Sequence, residues 1–79
     1  VALYDEVINL ARSYLGPAAQ KFVDRQIRAH LEIDGSELTN SDLGELAEWC
    51  YTSSKLLMND YKAKEFSDQI RAIRNGSNI

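Results

Sequence analysis

The chain has 79 residues, of which 44% are apolar and 27% charged, and it carries a net charge of −3. That length supports one domain with a single core, hiding roughly 60–65% of the surface the unfolded chain exposes, and the charged fraction is too ordinary for a disordered segment. One cysteine, one histidine and the lack of a long apolar run exclude an internal disulfide, a His/Cys zinc cluster and a membrane-spanning helix. The acidic balance disfavours nucleic acid as a partner. The first residues, Val1-Ala2-Leu3-Tyr4-Asp5-Glu6, lack the basic start of a signal peptide. A cytoplasmic chain is the expectation, and the absence of an initiating Met suggests a processed or excised chain and leaves a larger parent protein open.

Tyr4, Val7, Ile8, Ala11, Tyr14 and Leu15 recur at helical spacing and predict a first helix over about 2–15. Leu3 and Leu10 widen the stripe, and Asp5 and Glu6 suit the positive end of the helix dipole. The next residues, Leu15-Gly16-Pro17-Ala18-Ala19, form a break with a helix start built into it. Pro17 cannot sit in a helix interior but is well suited to a first turn, whose amides are unpaired. Gly16 can take the dihedrals that end one helix and begin another at a new angle.

The second helix is predicted over about 17–32, with Ala19, Phe22, Val23, Gln26, Ile27, His30 and Leu31 on its inner face. Lys21, Asp24, Arg25, Arg28 and Glu32 occupy the outer one. Asp34-Gly35 marks a turn, with Ile33 and Leu38 expected to fold back onto the core. Thr39 or Asn40 is then placed to cap a third helix over about 40–58. Leu43, Leu46, Ala47, Cys50, Ser54 and Leu57 are its buried stripe, with a weak patch at Thr52-Ser53-Ser54 where it can fray. Asn59 or Asp60 caps a fourth helix over about 61–74, whose seam is Ala63, Phe66, Ile70 and Ile73. Asn75-Gly76-Ser77-Asn78 is the expected stop. The fold class expected is all-α, a small four-helix bundle with a tight Gly-Pro corner between its first two helices.

No stretch carries a complete chemical motif. Asp34 to Glu45 has oxygen side chains at spacings like those of a calcium loop, but Thr39 stands where the loop needs glycine. His30 and Cys50 could pair as base and nucleophile, yet both fall on or near apolar stripes and no third group orients them. Ser41-Asp42-Leu43 resembles the Asp-Ser-Leu of an acyl carrier protein, but in reversed order at the serine that bears the prosthetic group. No cofactor and no metal is expected.

Charge is the better clue. Lys21, Arg25 and Arg28 form a basic stripe at i, i+4 and i+7, with Asp24 placed to pair with Arg28 inside the helix. Glu32, Asp34, Glu37, Asp42, Glu45 and Glu48 follow with no Lys or Arg between them. Trp49, Cys50 and Tyr51 are adjacent, so one of the aromatics must lie at the rim as a candidate anchor. The interaction residues expected are therefore Lys21, Arg25, Arg28, Trp49 and Tyr51, with Leu3 and Leu10 as further apolar anchors.

Tyr14-Leu15-Gly16-Pro17-Ala18-Ala19, followed by Phe22-Val23, resembles the Gly-Pro-x-Ala corner of a small helical domain in bacterial signalling proteins of cyanobacterial type. The resemblance implies a regulatory or scaffolding role without catalytic residues. Together these readings predict a non-enzymatic interaction or regulatory module that self-associates as a homo-oligomer or docks on a protein partner, without nucleic acid or membrane. The alternatives are a modified carrier domain or a nucleic-acid-binding helical domain.

Overall fold

The structure, a computed structural model, describes residues 3–76, with side chains through Ile73. The described residues are all-helical, and none forms a strand. Helix α1 spans Leu3–Leu15, α2 Ala19–Gln26, α3 Leu43–Ser54 and α4 Asp60–Gly76. Ala2, the expected start of α1, and Ser77 and Asn78 of the expected stop lie outside the described residues; α4 itself runs on through Gly76.

The corner forms as its residues dictate. Gly16 takes φ +61°, the left-handed region that side chains disfavour, and Gly16–Ala18 make one 3-10 turn with Pro17 in its first positions. A Cβ at Gly16 would touch nothing within 4 Å, so the constraint there is the backbone alone. Gly16→Val is expected to destabilise by about 1–2 kcal/mol through that strain, read as a lower urea midpoint with an unchanged slope. An unshifted midpoint would mean the corner tolerates a right-handed residue.

The second helix differs from the uniform rod expected over 17–32. Its α-helical part ends at Gln26, and Ile27–Leu31 continue as one wider π turn. Glu32 closes it at φ 57°, taking the left-handed cap position that glycine usually fills. The connection to α3 is held by two local caps. The Asp34 amide donates to Glu37 Oε1 at 2.8 Å, and the Thr39 amide donates to Asp42 Oδ2 at 3.0 Å. These are reciprocal capping boxes around 3-10 turns at Gly35–Glu37 and Asn40–Asp42. The carboxylates at Asp34, Glu37 and Asp42 thus serve the backbone. Gly35 is required for packing, because a Cβ there would lie 2.7 Å from the Tyr4 ring.

The core contains Val7, Ile8 and Ala11 of α1 and Ala19, Val23 and Ile27 of the second helix. Leu43, Leu46, Ala47 and Cys50 of α3 and Phe66 and Ile70 of α4 complete it, with Leu38 from the connection. Ile33 packs against its edge, as do Leu3 and Leu10, which are core-edge residues and not the free anchors expected. Phe66 is the largest fully buried side chain, stacked on Tyr14 at 5.1 Å and tilted against Phe22 at 6.3 Å. Buried Gln26 accepts a hydrogen bond from Ser53 Oγ at 3.0 Å, which ties α2 to α3 without leaving a polar atom unpaired.

The largest departure from expectation is at the end of α3. Helix 40–58 was expected to keep Leu57 on the buried stripe, but Leu57 is 64% exposed and Leu56 is 88% exposed. The α-helix stops at Ser54. Leu56 and Leu57 donate to carbonyls three residues back, at Ser53 and Ser54, instead of four. That tightening rotates Leu57 off the stripe. The Thr52-Ser53-Ser54 patch is where the α-helix ends. Asn59 then caps α4, its side chain accepting from the Lys62 amide at 2.8 Å.

Candidate interaction surface

Lys21, Arg25 and Arg28 are all exposed on the outer face of the second helix. With Pro17, Gln20 and Asp24 they line a shallow trough of about 660 Å³. Asp24 does not pair with Arg28 as its spacing predicts. It is turned toward α1, accepting from the Tyr4 hydroxyl at 2.6 Å, and Gln20 donates to the same hydroxyl oxygen at 3.3 Å. Burial and the neighbouring Asp24 carboxylate push the Tyr4 phenol above its ordinary range. Arg28 reaches across to Asp34 at 3.8 Å, an exposed pair worth little. The Asp34 carboxyl is held below its usual range by the Ser36 hydroxyl, with Arg28 a smaller contribution. Lys21 and Arg25 make no ion pair with the described residues.

Trp49 and Tyr51 are half-buried and belong to other parts of the surface. Trp49 stacks face to face on His30, with ring centroids 3.7 Å apart and planes 3° from parallel. His30 lies in the π turn, and its ring is a packing plate for the indole. The Tyr51 hydroxyl donates to Asp60 Oδ1 at 2.8 Å, and Lys55 Nζ lies 5.0 Å from its ring centre. The hydrogen bond to Asp60 raises the Tyr51 phenol. Tyr51 also lines a groove of about 270 Å³ with Glu48, Lys64 and Arg71, where Arg71 pairs with Glu48 at 3.1 Å. The basic stripe thus lines one trough, while Trp49 and Tyr51 line two other grooves that share Glu48.

Cys50 is fully buried beneath this surface, and burial pushes its thiol up to about 12. Among the described residues, no three His, Cys, Asp or Glu side chains gather as a metal site would require. No helix among the described residues is long and apolar enough to cross a membrane. The surface feature that sequence reasoning missed is the exposure of Leu56, Leu57 and Tyr61, the last 75% exposed. Its one signal was the weak helix patch Thr52-Ser53-Ser54, one residue before two leucines.

Compared with protein-family models, curated proteins and solved structures, the chain finds no match in any of the three.

Proposed function

We propose that this chain is a non-catalytic four-helix interaction module that docks an acidic protein surface on the outer face of its second helix. The observation that carries this reading is the trough lined by Lys21, Arg25 and Arg28, in which the carboxylate of Asp24 accepts from the Tyr4 hydroxyl and pairs with none of the three. With Asp24 engaged by Tyr4 and Arg28 held only by an exposed pair with Asp34, the stripe keeps Lys21 and Arg25 without an ion pair among the described residues to face an anionic partner. Each exposed ion pair contributes about 0–1 kcal/mol, so charge sets orientation and on-rate more than affinity. A second copy of the chain can supply the acids, since Glu32 and Glu45 are exposed and make no ion pair with the described residues. The regulatory role implied by the corner's resemblance fits a module of this kind.

Arg25→Glu combined with Arg28→Glu tests the reading. The double variant is expected to keep the helical circular-dichroism signal and to lose association that weakens with salt, either with itself in sedimentation or with host protein in pull-downs. Association unchanged by the reversal, or a monomer at every salt concentration with identical pull-downs, would reduce the stripe to solvated surface.

A further inference from the structure

The basic trough shares its face with acids. Gln20, Asp24 and Arg28 line both the trough and a neighbouring pocket of about 380 Å³, which Asp34 and Ser36 also line. The trough carries Lys21, Arg25 and Arg28 against Asp24, and the pocket carries Asp24 and Asp34 against Arg28. Glu32 adds a further acid at this end. It is exposed, stands four residues or about one turn past Arg28, and makes no ion pair with the described residues. One exposed face of the second helix is therefore positive toward its start and negative toward its close. That order runs against the helix dipole, which favours acids in the first turn and cations in the last. Lys21 lies in the first turn of α2, and Glu32 is the left-handed residue that closes the π turn. Their own helix thus gives these two charges no stabilisation.

A uniformly acidic surface satisfies only the positive half of this face and is repelled at Glu32 and Asp34. A second copy satisfies both halves, because a face with its positive and negative ends side by side becomes its own complement after a half-turn rotation. Resting on the docking role proposed above, we infer that its partner is a second copy of the chain. The two second helices pair antiparallel, with Arg25 of each against the partner's Glu32. A two-fold axis between Arg28 and Ala29 gives this register, since positions 25 and 32 lie equally far from it. The two Arg28 side chains meet near the axis, each already paired with Asp34 of its own chain at 3.8 Å. Ala29 is exposed and small, so the helices can approach there. The antiparallel arrangement also opposes the two helix dipoles and brings Lys21 and Glu32 of each chain toward the partner's favourable end. Exposed ion pairs contribute little each, and one helix face is smaller than a stable interface, so the dimer is weak and sensitive to salt.

Charge exchange between the two positions tests the inference. Sedimentation equilibrium of the wild type, up to millimolar concentration, should show a dimer that dissociates as salt is raised. Arg25→Glu and Glu32→Lys each place two like-charge pairs in that dimer, and each should weaken it at least about tenfold. Mixed in equal parts, the two variants form a heterodimer in which both pairs have opposite signs. Association of the mixture should return to within about threefold of the wild type. The chain carrying both substitutions should dimerise alone for the same reason. Both side chains are exposed, so an unchanged circular-dichroism melt confirms that the fold is intact. A wild type that stays monomeric at low salt overturns the inference, as do single variants that dimerise like the wild type or that fail to complement each other. An oligoglutamate peptide separates this outcome from failure of the docking role. If the monomeric wild type binds the peptide and Arg25→Glu with Arg28→Glu abolishes that binding, the trough takes an acidic partner and the second copy is excluded. If neither self-association nor peptide binding occurs, both readings fall.

Discussion

Phe66→Ala is expected to strip the chain of most of its stability at room temperature. Phe66 is fully buried, with Tyr14 of α1 and Phe22 of α2 against its ring. Truncating such a ring costs about 3–5 kcal/mol, part lost transfer energy and part cavity. A domain this small has a stability on the order of 5 kcal/mol, so one substitution removes most of it. A urea melt by circular dichroism should show the midpoint shifted to below about 2 M. Leu57→Ala is the control. Sequence periodicity places Leu57 on a core stripe just as it does Phe66, but its exposure predicts a change within about 0.5 kcal/mol. A large loss at Leu57 and a small one at Phe66 would invert the packing described above.

Cys50 gives the second large effect, and it appears in alkali. The buried thiol is pushed from its ordinary value of 9.0 up to about 12. The unfolded chain therefore loses this proton first as pH rises above about 9, while the folded chain keeps it. With fewer protons bound in the unfolded state, stability falls with pH, by about 1.4 kcal/mol per unit once the unfolded thiol is ionised. The contribution is intact below pH 9 and is lost progressively toward pH 12. Tyr4, Tyr14 and Tyr51 are also raised and act in the same direction above their ordinary value of 10.0. Melts between pH 8 and 11 should show this slope, and Cys50→Ala should flatten its first part, between pH 9 and 10. The same burial predicts thiol labelling at least about a hundredfold slower in buffer than in denaturant. Equal labelling rates, or an alkaline slope that Cys50→Ala leaves unchanged, would place the thiol at the surface.

Most of the helical layout was legible because it depends on local rules. The 3.6-residue period of Val7, Ile8 and Ala11, and of Ala63, Phe66 and Ile70, places these residues in the core wherever the helices pack. Gly16 and Pro17 announced their corner because proline has one good place at a helix start and glycine alone tolerates φ +61° without strain. Thr39 and Asn59 were readable as caps for the same reason, since a cap's hydrogen bonds span only three residues.

Tertiary structure decided whatever depended on a partner distant in sequence. Asp24 reads as a partner for Arg28 by spacing, but Tyr4, 20 residues away, offers a shorter bond on the neighbouring helix. His30 finds Trp49 only because a π turn rotates the end of the second helix toward α3. The α3–α4 connection shows the limit most clearly. Periodicity predicts that Leu57 is buried if the α-helix continues, and three-residue hydrogen bonds after Ser54 end that continuation. A local pattern specifies which face a residue shares with its helical neighbours. Whether the helix persists, and what lies opposite that face, is set by packing between segments, and that is why the exposure of Leu57 and the bond from Tyr4 to Asp24 emerge only in the folded chain.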